Sequence, residues 1–160
     1  MYEIQTGKDN KILRTVAIPV EVFDEELKKI VDQMEETMKT PDPKTKIKGI
    51  GLAANQVGIL KRIIIVTFNV ENSKRQKVIP MINPEILEIS LKQKTLEEGC
   101  LSLPDQFAKI SRPSKVKIRW QNLKGHLCEK RLEKWAARVF LHEYDHLEGK
   151  LFIDYLSSKK

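Results

Sequence analysis

Apolar residues return every three or four positions at Leu27, Ile30, Val31, Met34 and Met38, which predicts an amphipathic helix from about Glu25 to Lys39. Asp24 is suited to cap it, and Glu25 and Glu26 place negative charge in the first turn, where the helix dipole favours it. The methionines read as core packing. Pro41 and Pro43 end the helix, and Lys44 to Lys48 form a basic loop. The pattern then changes: Arg62 to Val70 is rich in β-branched residues and predicts a strand, as do Val78 to Ile82 and Ile86 to Leu91. Lys115 to Gln121 alternates strictly, with Val116, Ile118 and Trp120 on one face, and the turn Asn122 to Gly125 leads into a partner strand from about His126 to Leu132. Leu132, Trp135, Ala136, Val139, His142, His146 and Leu147 recur at helical spacing, with Gly149 placed as a terminator. A helix, several turn-linked strands and a second helix predict an α+β fold with mixed or antiparallel sheets.

With 160 residues and 41% hydrophobic content, the chain is expected to form one domain over residues 1–160. The longest apolar run, Ile63 to Val66, is far too short to cross a membrane, and no membrane association is expected. The start, Met1-Tyr2-Glu3-Ile4, carries neither a secretory signal nor an Arg-rich transit segment. A bacterial-type cytoplasm is therefore expected, and an organellar protein trimmed of its leader would look the same. Two cysteines, Cys100 and Cys128, make no disulfide framework and fit a reducing compartment. The net charge of +7 is spread along the chain, so a solvated surface is expected and no specific nucleic-acid binding.

Chemistry concentrates in three places. In His142-Glu143-Tyr144-Asp145-His146 two imidazoles four residues apart share one helix face and can grip one metal ion. That is also the apolar face, so the metal would sit in a partly desolvated setting, with Glu143 beside it to handle the proton of a metal-bound water. Core histidines on a buried helix would show the same spacing. Cys100, after Gly99, has room around its sulfur and would complete a three-ligand site as a thiolate; otherwise it is a small buried hydrophobe, as Cys128 is expected to be. Gly49 to Gly58 offers close backbone approach, and Gln56 a neutral hydrogen-bond donor. The same stretch satisfies a loose dinucleotide fingerprint, but a Lys-rich loop precedes it and no βαβ unit surrounds it. At this level a metallopeptidase and a metal- or RNA-associated module also remain open.

Gly49-Ile50-Gly51-Leu52-Ala53-Ala54-Asn55-Gln56, Glu98-Gly99-Cys100-Leu101-Ser102 and His142 to His146, in this order, resemble the three signature motifs of the peptide deformylase family. The resemblance extends to Leu13 to Val20 and to Gly149 to Tyr155. It implies β-sheets packed around the helix that carries His142 and His146. It also implies hydrolytic removal of the N-formyl group from the formyl-methionine of nascent peptides, with release of formate. Cys100, His142 and His146 would hold one divalent metal, Fe2+ in the cell, although the donor set also suits Zn2+, Ni2+ or Co2+. Glu143 would be general base and acid, and the Leu101 N–H and Gln56 amide would stabilise the oxyanion, so Gln56 is expected to matter greatly for rate and little for folding. The peptide would lie extended along the backbone near Ile50, Gly51 and Gly99. Candidates for the methionine pocket are Ile50, Trp135 and Val139, with Phe107 at its rim. Glu98 and Arg112 are either an ion pair steadying the ligand loop or two unrelated surface charges. Two features depart from the family: Leu141 stands where Gln is usual, and the sequence stops soon after Tyr155, which leaves transient ribosome proximity as the expectation.

Overall fold

The structure is a computed structural model that describes residues 1–157. Its elements are α1 (Glu25–Lys39), β1 (Gly51–Ala53), a 3-10 turn (Ala54–Val57), β2 (Ile63–Phe68), β3 (Lys77–Ile89), β4 (Gln93–Cys100), β5 (Leu103–Pro113), β6 (Lys115–Gln121), β7 (Leu127–Glu133), α2 (Lys134–Leu147) and α3 (Asp154–Ser157). Five strands form an antiparallel sheet in the order β1-β2-β3-β6-β7, and β4 and β5 form a separate two-stranded sheet.

Sequence patterning explains the layers. In β2 every residue is buried. Ile64 and Val66 join the cluster that includes Val139, Phe140 and Leu147 of α2, while Ile63 and Ile65 join Leu27, Val31, Met34 and Met38 of α1. A helix on each face accounts for a run of consecutive apolar residues in place of alternation. The Asp24 carboxylate accepts from Leu27 N at 3.0 Å, capping α1. In β6, Val116, Ile118 and Trp120 face the core as their alternation predicts.

One sequence expectation is corrected, and one hairpin is an element that the sequence pattern does not announce. The strands expected at Val78 to Ile82 and Ile86 to Leu91 are one strand, β3. Pro84 is accommodated where the register with β6 shifts between Ile82 and Glu85, next to Asn83 at φ 50°. The Asn83 side chain secures that irregularity by bonding Val20 N, Val20 O and Gln121 Oε1. The β4–β5 hairpin carries no clear strand signal, because most of its residues are exposed. It is held instead by Leu103 and Ile110, which pack with Leu13, Leu151 and Phe152. After α2, Gly149 adopts φ +68°, and a Cβ there would lie 2.6 Å from Arg14 O, so glycine is required. Among the described residues no helix is long and apolar enough to cross a membrane.

Candidate active site

Helix α2 places the rings of His142 and His146 with centroids 5.1 Å apart. Strand β4 ends at Cys100, whose Sγ lies 3.4 Å from His146 Nε2. Ligand atoms of Cys100, His142 and His146 all lie within 4.8 Å of one another. A thiolate and two imidazoles would hold one divalent ion, which would supply Lewis acidity to a bound water. The fit is strengthened by Glu143, which is buried with Oε2 lacking a hydrogen-bond partner among the described residues. Such an orphan carboxylate oxygen is costly unless something else enters the site.

His142 is oriented from behind, whereas the buried Nδ1 of His146 has no hydrogen-bond partner among the described residues. His142 Nδ1 donates to Glu98 Oε2 at 2.9 Å, which leaves Nε2 for the metal. Glu98 also accepts from Arg112 Nε at 2.5 Å, Arg112 Nη2 at 3.0 Å and Arg138 Nη1 at 2.7 Å. Arg112 Nη1 donates to Asp145 Oδ2 at 2.8 Å, an oxygen that also accepts from Tyr155 OH at 2.8 Å. Glu98 and Arg112 are thus not surface charges; both are buried in a network under the site. Burial alone would raise the Glu98 pKa, but the hydrogen bonds from His142 and Arg112 outweigh it and hold the carboxyl at about 2. Burial pushes Glu143 the other way, to about 7, against the pull of His142. For His142, burial opposes the charged form, yet its contacts with Cys100 and Glu98 raise its pKa; for His146, burial and then the charge of His142 lower it.

One cleft of about 310 Å³ gathers nearly all the residues singled out in the sequence: Ile50, Gly51, Gln56, Gly99, Cys100, Leu101, Phe107, Trp135, Val139, His142 and Glu143 line it. His146 is buried behind them. Gln56 Nε2 donates to Ser102 Oγ at 3.1 Å and points to Cys100 Sγ at 3.5 Å, while its Oε1 accepts from Ala53 N at 3.0 Å. Phe107 is 61% exposed at the rim, and its ring lies over Gly99, where a Cβ would come within 2.7 Å of Cε1. Trp135 is 40% exposed, so its ring only partly closes the cleft. Leu141 packs in the core between α2 and the larger sheet. Sequence reading missed Arg138, Asp145 and Ser102. For Arg138 a signal existed: it lies four residues before His142, and a charge on the inward face of a helix implies a buried partner.

The chain is similar to known proteins along its whole length. A family model described as polypeptide deformylase matches residues 1–160. A peptide deformylase of Thermotoga maritima is 46% identical over 160 residues, covering 100% of this chain and 90% of the relative. The crystal structure of peptide deformylase from Thermotoga maritima superposes with a TM-score of 0.86 at 44% identity, covering 97% of both chains. A probable peptide deformylase from Synechococcus phage S-SSM7 gives 0.87 at 40% identity, covering 97% of this chain and 99% of its own.

Proposed function

Since the chain belongs to the polypeptide deformylase family, we propose that it hydrolyses the N-formyl group of formyl-methionine on nascent peptides, releasing formate, with residues 1–160 acting as one catalytic domain. The observation that carries this reading is the convergence of Cys100, His142 and His146 beside the orphan carboxylate of Glu143 and the amide of Gln56.

A divalent ion held by Cys100, His142 and His146 would lower the pKa of water and polarise the formyl oxygen; we assign Fe2+ in the cell, with Zn2+, Ni2+ or Co2+ also compatible with the donors. Glu143 takes the proton of the attacking water and returns it to the departing amine. Burial pushes the Glu143 pKa up to about 7 in the metal-free protein, and a bound cation would draw it back toward the ionised form that accepts the proton. The Gln56 amide and the Leu101 N–H donate to the formyl oxygen as it gains negative charge. β1 lies at the edge of its sheet and β4 pairs only with β5, so both have a free edge from which an extended peptide can take main-chain hydrogen bonds near Ile50, Gly51 and Gly99. Ile50, Trp135 and Val139 surround the methionine side chain, with Phe107 at the rim.

We place the reaction in a bacterial-type cytoplasm, with only transient ribosome proximity and no specific nucleic-acid binding. The last point is supported by ion pairing on the outer sheet face, where Lys115 meets Glu133, Arg119 meets Glu85 and Arg131 meets Glu88. An anaerobic formate-release assay on a formyl-methionyl peptide, run with metal analysis, tests the whole reading. Formate should appear in proportion to bound metal. Cleavage of internal bonds in unformylated peptides without formate release would point to a metallopeptidase instead.

A further inference from the structure

Among the described residues the two-stranded sheet shares no backbone ladder with the five-stranded one, so side-chain contacts help set where Cys100 sits relative to the histidines of α2. Arg138 of α2, only 4% exposed, bonds both strands of that hairpin. Its Nη1 donates to Glu98 Oε1 at 2.7 Å and to Ile110 O at 2.8 Å, and its Nη2 to Lys94 O at 2.5 Å. One guanidinium thereby joins α2 to both strands, β4 and β5. Arg138 and His142 are one helical turn apart and hold the two oxygens of the same carboxylate, Arg138 on Oε1 and His142 on Oε2. Glu98 is two residues before Cys100 on β4, with a register irregularity between them. Rotation or withdrawal of Glu98 would therefore disturb the thiolate and the His142 ring together.

Charge points the same way. Arg112 and Arg138 balance Glu98 and Asp145 in this buried network. Losing Arg138 leaves one negative charge in excess beneath the site, in surroundings that screen it poorly. A lysine could restore the charge but not the fork that spans the Glu98 carboxylate and two main-chain carbonyls.

We propose that Arg138 is a positioning residue for the metal centre: by clamping Glu98 and the β4–β5 hairpin onto α2, it sets the separation of Cys100 from the histidines and the orientation of His142. This rests on the ligand set proposed above. The experiment compares wild type, Arg138→Met, Arg138→Lys and Cys100→Ala. It measures Zn2+ affinity by chelator competition, the visible spectrum of the Co2+-loaded protein, and the thermal stability of each metal-free protein. Outer-sphere partners of this kind are worth roughly 10- to 100-fold in metal affinity. Arg138→Met should lose affinity in that range with a changed Co2+ spectrum, and Arg138→Lys should recover part of both. If Arg138→Met fails to fold, Arg138→Lys alone must show the weaker affinity and altered spectrum. Native affinity and spectrum in the variants that fold would overturn the inference, as would losses that merely track the fall in metal-free stability. Undiminished Zn2+ affinity in Cys100→Ala would instead overturn the ligand set.

Discussion

The carboxylate of Glu143 rests against the backbone of Gly51: a Cβ added to Gly51 would lie 2.5 Å from Glu143 Oε1 and 2.8 Å from its Cγ. Glycine at this point leaves the space that the Glu143 carboxylate occupies, the group proposed to handle the proton. Gly51→Ala is expected to displace Glu143 and lower kcat by about 100-fold, the scale of loss for a displacement of about 1 Å at a reacting centre. Metal content should be retained, because no ligand side chain meets the new methyl among its nearest contacts. Wild-type kcat in Gly51→Ala would contradict the role given to this contact.

Glu143→Ala should bind metal as wild type does while formate release falls by roughly 10²- to 10⁴-fold, the usual worth of positioned acid–base catalysis. Metal analysis and the formate assay on one preparation separate the two effects. Normal turnover would remove Glu143 from the mechanism.

Gln56→Ala is expected to lower kcat by roughly 10²- to 10³-fold, as loss of an oxyanion donor does elsewhere. The sequence reading expects little effect on folding, and the hydrogen bonds of Gln56 indicate a modest one. Gln56 is 2% exposed, accepts from Ala53 N and donates to Ser102 Oγ, so its removal leaves a buried main-chain donor unpaired. A stability loss of about 1 to 3 kcal/mol follows, readable by denaturant titration.

Metal binding should weaken as pH falls. Coordination needs Cys100 as thiolate and His142 neutral, yet its contacts with Cys100 and Glu98, outweighing burial, raise the pKa of metal-free His142, so protons compete with the ion. Isothermal titration in two buffers of different ionisation enthalpy should detect protons released on binding. With ferrous iron beside Cys100, exposure to air should inactivate the enzyme by oxidation of the metal or the thiolate. Undiminished activity of iron enzyme after prolonged aeration would count against this assignment.

Glu98 should contribute to the acid limb of stability in the metal-free protein. Burial would raise its pKa, but the hydrogen bonds from His142 and Arg112 depress it from 4.5 to about 2. The stabilisation is therefore present above the unfolded value and lost as pH falls through the folded one. Glu98→Gln, though less stable overall, should show a flatter dependence in that window when unfolding is followed by circular dichroism.

The sequence by itself determined the family resemblance, the candidate residues and most of the scaffold. Helical spacing alone sets His142 and His146 on one face, alternation marks Val116, Ile118 and Trp120 as inward, and the β-branched run around Ile63 to Val66 marks a strand. These are local facts, fixed by periods of two and 3.6 residues that any chain of this pattern must obey. What the tertiary structure decided is non-local. The hairpin bearing Cys100 has few apolar residues, so its strands leave little trace in the pattern until Leu13, Leu151 and Phe152 pack against them. The network of Glu98, Arg112, Arg138 and Asp145 joins residues up to 40 positions apart, and His142 reaches Glu98 across 44. No periodicity can announce such a pairing, because burying these charges is tolerable only once partners from distant segments have arrived together.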